Sequence, residues 1–430
     1  MVRLRLPRTT HRFWRGYLTI VVLVGALGGV SLAAAANARR TSSSFATFFA
    51  STDPSTLSVI PAPANPNDNY SPAVSAALSR LPGLRHVESA VFVGGYVLNR
   101  LGVPSATEFQ NTNSWVQGSV DGLYFTQDRL TVLRGRMSNP RSVDEIVVSP
   151  LAAARHHLHL GSVVSFGFYT NAQQANASFL KVTASGAPLI TPTLTVRARV
   201  VGIAQSNTGV VADDVDQREI VLFTPALTHR LLTSDLANTV GWTDYGLQLN
   251  GGSAAIAPAQ RAVAAALPSK VSLIFQEPTL DETAAARAIA PFTISLVVAS
   301  LLSALALVLV MLQVVSRLFQ AGAREREALR ALGASPVMIL ADDLTGVIAS
   351  LVLGVMVAVA VAFAASPLAP IGPLRSVFPS RGLYADTPVF ALGAVGMLVV
   401  LVVLASAAGA AANPARVARR ARRRPVRGSG

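Results

Sequence analysis

The side chains in this sequence that could carry chemistry fall into three groups. The first is a charged run between two apolar stretches: Arg317, then Arg324, Glu325, Arg326, Glu327, Leu329, Arg330 and Gly333, closed by Ser335 and Pro336. Asp342 and Asp343 follow at the mouth of the next apolar stretch. Both signs of charge on one short segment suit docking against a complementary partner surface or lipid headgroups. An ordinary solvated loop, or a helix end with no partner, has the same composition.

The second group is His156, His157 and His159. Adjacent residues on a helix point about 100° apart, so the three cannot all face one ion from that element. A solvated helix end is the plain reading, and no metal site is expected. The third group is Asp213, Asp214, Asp216 and Glu219, read as a solvent-facing acidic loop. The oxygens of Asn67, Asp68 and Asn69 can attract a cation, but adjacency alone does not make a calcium site.

Catalytic patterns do not occur. The sequence holds no Gly-x-Ser-x-Gly elbow, no His-Glu-x-x-His and no cysteine. Its only lysines are Lys181 and Lys270, each followed by valine, so it cannot build the usual phosphate-cradling loop of an ATPase. The chain is therefore expected to be non-catalytic and to hold no cofactor itself. If ATP is used, a partner hydrolyses it.

The elements that must carry these groups follow from composition. Of 430 residues, 51% are hydrophobic and 13% charged, outside the balance of a soluble domain. Four apolar runs, at 14–36, 289–316, 344–365 and 389–412, are each long enough to cross a bilayer as a helix, for which about 20 residues suffice. A cleaved signal peptide is the competing reading of the first, since Ala36-Asn37-Ala38 fits a cleavage site. Its long apolar middle favours a retained anchor.

Arginines mark the flanks: Arg3, Arg5, Arg8, Arg12 and Arg15 around the start of the first run, the 317–343 segment after the second, and Arg416 to Arg427 after the fourth. These segments carry +12 of the net charge of +14. Basic flanks lie on the cytoplasmic side. That puts 1–13, 317–343 and the tail 413–430 inside, and 37–288 and the proline-rich connection 366–388 outside. Charge concentrated beside apolar runs also argues against nucleic acid as a partner and for anionic lipids.

Residues 37–288 read as mixed α/β. Phe45, Phe48 and Phe49 line one side of a helix. A short helix is expected from Val74 to Pro82, a strand over 87–93, and a helix over 149–158 opened by Ser149-Pro150. Strands are expected at 161–168, 194–203 and 219–223, and a further helix at 258–267. The expected fold is thus an α-helical membrane protein of four spans, with an α/β extracytoplasmic domain inserted between the first and second.

Two stretches carry a family resemblance. Arg324, Glu327, Leu329, Arg330, Gly333, Ala334 and Ser335 resemble the R-x-x-E-x-x-x-L-R-x-x-G-A-S/T segment of FtsX-like/MacB-like ABC transporter permeases, with different spacing between Glu327 and Leu329. Leu133, Gly135, Arg136, Glu145, Ser149, Ala153, Leu160 and Gly161 are similar to a pattern of that family's exported domain. Asp144 stands there for a usual Asn, and Ser162 for a usual Asp or Thr.

The resemblance implies a permease subunit that transmits the motion of a separate P-loop ATPase, with its ATP and magnesium, to the MacB-like domain. It implies Arg324, Glu325, Arg326, Glu327, Leu329, Arg330 and Gly333 as the ATPase-coupling residues. It also implies a second permease copy or a homologous permease. The alternative within the same family is a signalling or scaffold protein that activates an envelope hydrolase without moving cargo, with an envelope protein as its partner.

Overall fold

The structure is a computed structural model, and it describes residues 14–62, 70–104, 114–207, 209–210, 219–233, 240–268, 271–321 and 336–411. The chain divides into two compact units. One is helical, comprising the described parts of Met1–Ser43, Ile289–Gly372 and Ser380–Gly430; the other is α/β, Ser44–Ala288 with Pro373–Pro379.

Among the described residues four helices are long and apolar enough to cross a membrane: Trp14–Ser42, Thr283–Ala321, Leu344–Leu368 and Thr387–Ala411. They are called spans 1 to 4 below. Span 1 packs by small residues. A Cβ on Gly25 would stand 2.6 Å from Val357, and one on Gly29 2.8 Å from Val361, both on span 3. Close backbone approach of this kind lets apolar helices associate where no hydrophobic drive separates protein from lipid. The turn Val24–Gly28 is a π-turn, which brings Gly25 and Gly28 onto the packed side. Ile20 and Val24 of this helix are fully buried.

Span 2 belongs to one continuous helix, Pro278–Ala321, of 44 residues. At 1.5 Å per residue that is roughly 66 Å. It contributes a narrow stripe, Leu307, Met311, Val315 and Phe319, to the bundle core with Ile20, Val24, Val347 and Leu351. Higher up, Ser31 and Ser300 exchange hydrogen bonds, each hydroxyl donating to the other residue's carbonyl at 3.0 and 2.9 Å.

The α/β unit is built on one eleven-stranded sheet. Its strands are β1 (Leu57–Ala62), β2 (Leu84–Val93), β3 (Tyr96–Val97), β4 (Ser114–Ser119), β5 (Thr131–Gly135), β6 (Glu145–Val148), β7 (Val163–Phe168), β8 (Leu194–Gln205), β9 (Glu219–Phe223), β10 (Val240–Leu249) and β11 (Ser272–Gln276). The order is β11-β1-β10-β2-β4-β9-β6-β8-β7-β3, with β5 on β8.

That order hides two lobes. Strands β1, β2, β10 and β11, with helices Pro72–Leu78 and Ile256–Ala266, follow a βαββαβ path with all-antiparallel neighbours in the order 4-1-3-2. Everything from 94 to 239 is inserted between its second and third strands. Each lobe has its own core: Leu57, Val59, Leu78, Tyr245, Leu247 and Val263 in the first, and Ile146, Phe166, Phe168, Val200, Phe223 and Leu227 in the second, with Val91 of β2 packed against the latter. The chain enters the first lobe at β1 and leaves it at β11, and these strands are neighbours, pairing Ser58 with Gln276.

Local chemistry explains the edges. Ser149 accepts a hydrogen bond from the Ala152 N–H and Pro150 opens the helix Pro150–Arg155, as the sequence predicts. The helix stops earlier than expected because His156 caps it and His157 takes φ 51°. Thr224 and Pro225 repeat the same device at helix Pro225–Leu232. The helix expected at 258–267 begins instead at Ile256, after a 3-10 turn Gly252–Ala255. Phe45 and Phe48 are buried on the short helix Ser44–Ser51, with Phe45 stacked on Phe49 at 5.7 Å between centroids.

Candidate functional site

The coupling residues named from the sequence, Arg324, Glu325, Arg326, Glu327, Leu329, Arg330 and Gly333, lie outside the described residues, as do Asp213, Asp214 and Asp216. Their flanks are described. Span 2's helix continues through an exposed Arg317 to Ala321, and the next helix starts at Pro336. Proline at a first helical position fits that restart.

The end of span 1 near Ser42 is a second polar centre. Arg40, 7% exposed, donates through Nη1 to the Ser366 and Gly382 carbonyls at 2.9 and 3.4 Å, and through Nη2 to the Ser380 carbonyl. Its guanidinium lies 5.1 Å from the centre of the Tyr384 ring. Arg39 pairs with Asp386 at 2.9 Å, and Asp386 also accepts from the Val389 N–H at the start of span 4. Asn37 donates to the Ala365 carbonyl. One turn of span 1 thus fastens the connection between spans 3 and 4.

In the first lobe, a polar clamp holds the entry to β1. Asp128 accepts from the Ser55 N–H at 3.0 Å, from the Ser55 hydroxyl and from the Asn207 amide at 2.8 Å. The Asp128 and Arg129 N–H groups donate to the carbonyls of Asp53 and Thr52. Asp53, Tyr124 and Asp128 all have positive φ, a conformation costly for residues with a Cβ. Burial pushes the Asp128 carboxyl above its usual range against the opposing Ser55 bonds, and pushes the Tyr124 hydroxyl far up beside Asp244. Burial likewise raises Asp121, which accepts from the Ser89 N–H at 2.5 Å.

In the inserted lobe, Glu219 corrects the sequence reading. It is the first residue of β9 and 1% exposed, not part of a solvent-facing loop. Arg155 Nη1 donates to its Oε1, and His156 Nε2 lies 2.5 Å from its Oε2. Burial of a carboxylate requires such partners, and they come from a helix end distant in sequence, which no local pattern reveals. His159 Nδ1 meets the Ser162 hydroxyl instead, at 3.2 Å. Beside Glu219 and His156 a cavity of about 510 Å³ opens between β6, β7, β9 and the 94–100 segment, walled by Val97, Leu98, Val148 and Phe166.

The stretch carrying the second sequence resemblance folds around Arg136. Its guanidinium grips Glu145 with bonds of 2.8 and 2.5 Å. With the Asn139 N–H donating as well, the Glu145 carboxyl is held down at about 2. Gly135, at φ 75°, sits where a Cβ would be 2.3 Å from the Val201 carbonyl oxygen, so the Leu-x-Gly-Arg turn admits no larger residue there.

No protein-family model matches the chain, and no curated protein matches it significantly. Among solved structures it is similar to the periplasmic region of MacB from Actinobacillus actinomycetemcomitans, at 12% identity over 55% of this chain and 94% of that one, with a TM-score of 0.31. It is also similar to a domain of a protein designated a permease from Porphyromonas gingivalis, at 10% identity over 51% of this chain and 88% of that one, with a TM-score of 0.27. TM-scores of this size do not establish a shared fold.

Proposed function

We propose that this chain is the permease subunit of an ABC-type transporter, non-catalytic itself and driven by a separate P-loop ATPase that binds ATP and magnesium. The observation that carries this reading is the routing of the α/β unit. Its entry strand β1 and exit strand β11 are neighbours, and the chain on either side of them belongs to span 1 and span 2. A relative displacement of those two spans would be delivered to adjacent strands of one lobe, where the sheet resists shear, and so would move that lobe as a body. The segment 317–343, which resembles the family's coupling segment, begins in the last turns of span 2 and continues from it.

On this reading the helical unit lies in the cell membrane with both termini cytoplasmic and the α/β unit extracytoplasmic. ATP-driven closure of two ATPase subunits pushes on 317–343. The spans convert that push into displacement of the α/β unit, for export or extraction of a substrate. Two ATPase subunits call for two permease halves, a second copy or a homologous chain. Coupling between distant sites through two global states is allostery, with no chemistry required of this chain.

Leu329→Asp and Glu327→Arg test the coupling assignment. Each is expected to lower recovery of a P-loop ATPase with the tagged chain in detergent by at least tenfold, while the thermal unfolding of the α/β unit stays unchanged. Recovery equal to wild type in both variants would remove this segment from the interface.

A further inference from the structure

We propose that residues 380–385, with Leu368 beside them, form a membrane-interface anchor, a fastened loop whose Leu383 and Tyr384 side chains enter the headgroup boundary of a lipid bilayer. The proposal rests on the membrane reading above and adds a contact at the ends of spans 3 and 4.

The starting point is exposure where burial was available. Leu383 is 62% exposed, Leu368 59% and Tyr384 51%, although Leu374, Val377 and Phe378 of the same connection are all buried. An isolated exposed leucine means little, but the bond from the Tyr384 N–H to Ser366, two residues before Leu368, brings three large apolar side chains to one end of the connection.

The backbone that displays them is held rigidly. Arg40 takes the Ser380 and Gly382 carbonyls on one side of Leu383. On the other side the Tyr384 N–H donates to the Ser366 hydroxyl at 3.0 Å, and Asp386 is fixed by Arg39. Burying a guanidinium is costly unless its donors are used, and here they are used on the loop's carbonyls. A loop so fastened keeps Leu383 outward.

Continuity says what covers the patch. Leu368 is the last residue of span 3, and Thr387, three residues after Tyr384, is the first of span 4. Both helices carry exposed apolar side chains, Phe363 on span 3 and Leu392, 77% exposed, on span 4. The patch therefore prolongs a lipid-facing surface to the ends of the helices. A tyrosine there, apolar in its ring and polar at its hydroxyl, fits the boundary between acyl chains and headgroups, and the exposed Arg381 beside it fits lipid phosphates. Set at a fixed depth, the anchor would give spans 1, 3 and 4 a stationary footing against which the α/β unit is displaced.

The natural chain lacks cysteine, so single-cysteine variants of the full chain report one site each. Leu383→Cys, Leu392→Cys and Val143→Cys, the last exposed in the α/β unit, are labelled with a nitrobenzoxadiazole dye. They are placed in nanodiscs of phosphatidylethanolamine and phosphatidylglycerol that carry nitroxide lipids.

Emission from position 383 is expected to fall at least twofold with headgroup-region nitroxides, and less with nitroxides deep in the acyl chains, while position 143 is unaffected. Quenching at 392 without quenching at 383 would overturn the anchor and leave the membrane reading standing. Absence of quenching at both would overturn the membrane reading with it. A disulfide-linked dimer through residue 383 with no lipid quenching would assign the patch to a second copy of this chain and also overturn the anchor.

Discussion

Tryptic cleavage after Arg381 is expected to be roughly a hundredfold faster in Arg40→Met than in the wild-type chain. Methionine keeps the apolar length of the side chain and removes every donor. Three carbonyls, of Ser366, Ser380 and Gly382, then lose a charged partner, and a hydrogen bond to a charged group is worth about 1.5–3 kcal/mol. Because the freed carbonyls of 380 and 382 sit at exposed residues and regain water, the net loss is about 3 kcal/mol rather than the full sum. At 1.4 kcal/mol per tenfold change, that is about two decades in the population of the opened loop. Arg39→Met is the internal control. Arg39 is 57% exposed and gives Asp386 a single ion pair, so its removal is expected to cost about 0.5 kcal/mol and to change cleavage no more than about threefold. Equal cleavage rates in Arg40→Met and wild type would show that the loop is held by something other than Arg40.

Glu219→Ala is expected to destabilise the α/β unit by about 3 kcal/mol. Arg155 and His156 both pair with this carboxylate, which is itself buried at 1% exposure. Removing it takes a charged partner from two side chains at the end of helix Pro150–Arg155. The cost stays at the lower end of the range for broken buried pairs because the Arg155 side chain is 40% exposed and can rehydrate. For a unit of this size the drop corresponds to roughly 6–12 °C in Tm, measured by scanning fluorimetry of the intact chain in detergent. Glu219→Gln, which keeps the shape and one acceptor, is expected to lose about half as much. A shift below 2 °C in Glu219→Ala would mean that the burial of this carboxylate contributes nothing to the lobe's stability.

Unbroken apolar length made the spans readable, and it did so for a physical reason: a helix that satisfies its own backbone groups asks nothing more of its side chains. Helix Pro150–Arg155 was equally legible, because Ser149 and Pro150 announce a helix start by local chemistry. Thr224 and Pro225 carry the same announcement for Pro225–Leu232, masked by the strand-like residues on its N-terminal side.

What local pattern does not carry is pairing. The two-lobe organisation depends on β2 meeting β10 across the inserted residues, with Ala90 opposite Asp244. No signal in either strand specifies the other. Glu219 failed for the same reason, since its neighbours in sequence are acidic and its partners in space are Arg155 and His156. The collar around Arg40 was likewise invisible, because a basic residue after an apolar run reads first as a flank, and only the fold shows carbonyls of a connection more than three hundred residues later turning towards it.

The account as a whole depends on the 317–343 segment and the α/β unit occupying opposite sides of one membrane. Single cysteines at Ala328 and Val143, in an otherwise cysteine-free chain, test this with a membrane-impermeant maleimide applied to intact cells and then to lysed ones. Residue 143 is expected to label in intact cells, and residue 328 only after lysis. Labelling of both positions from outside, or of neither until lysis, would contradict the permease assignment.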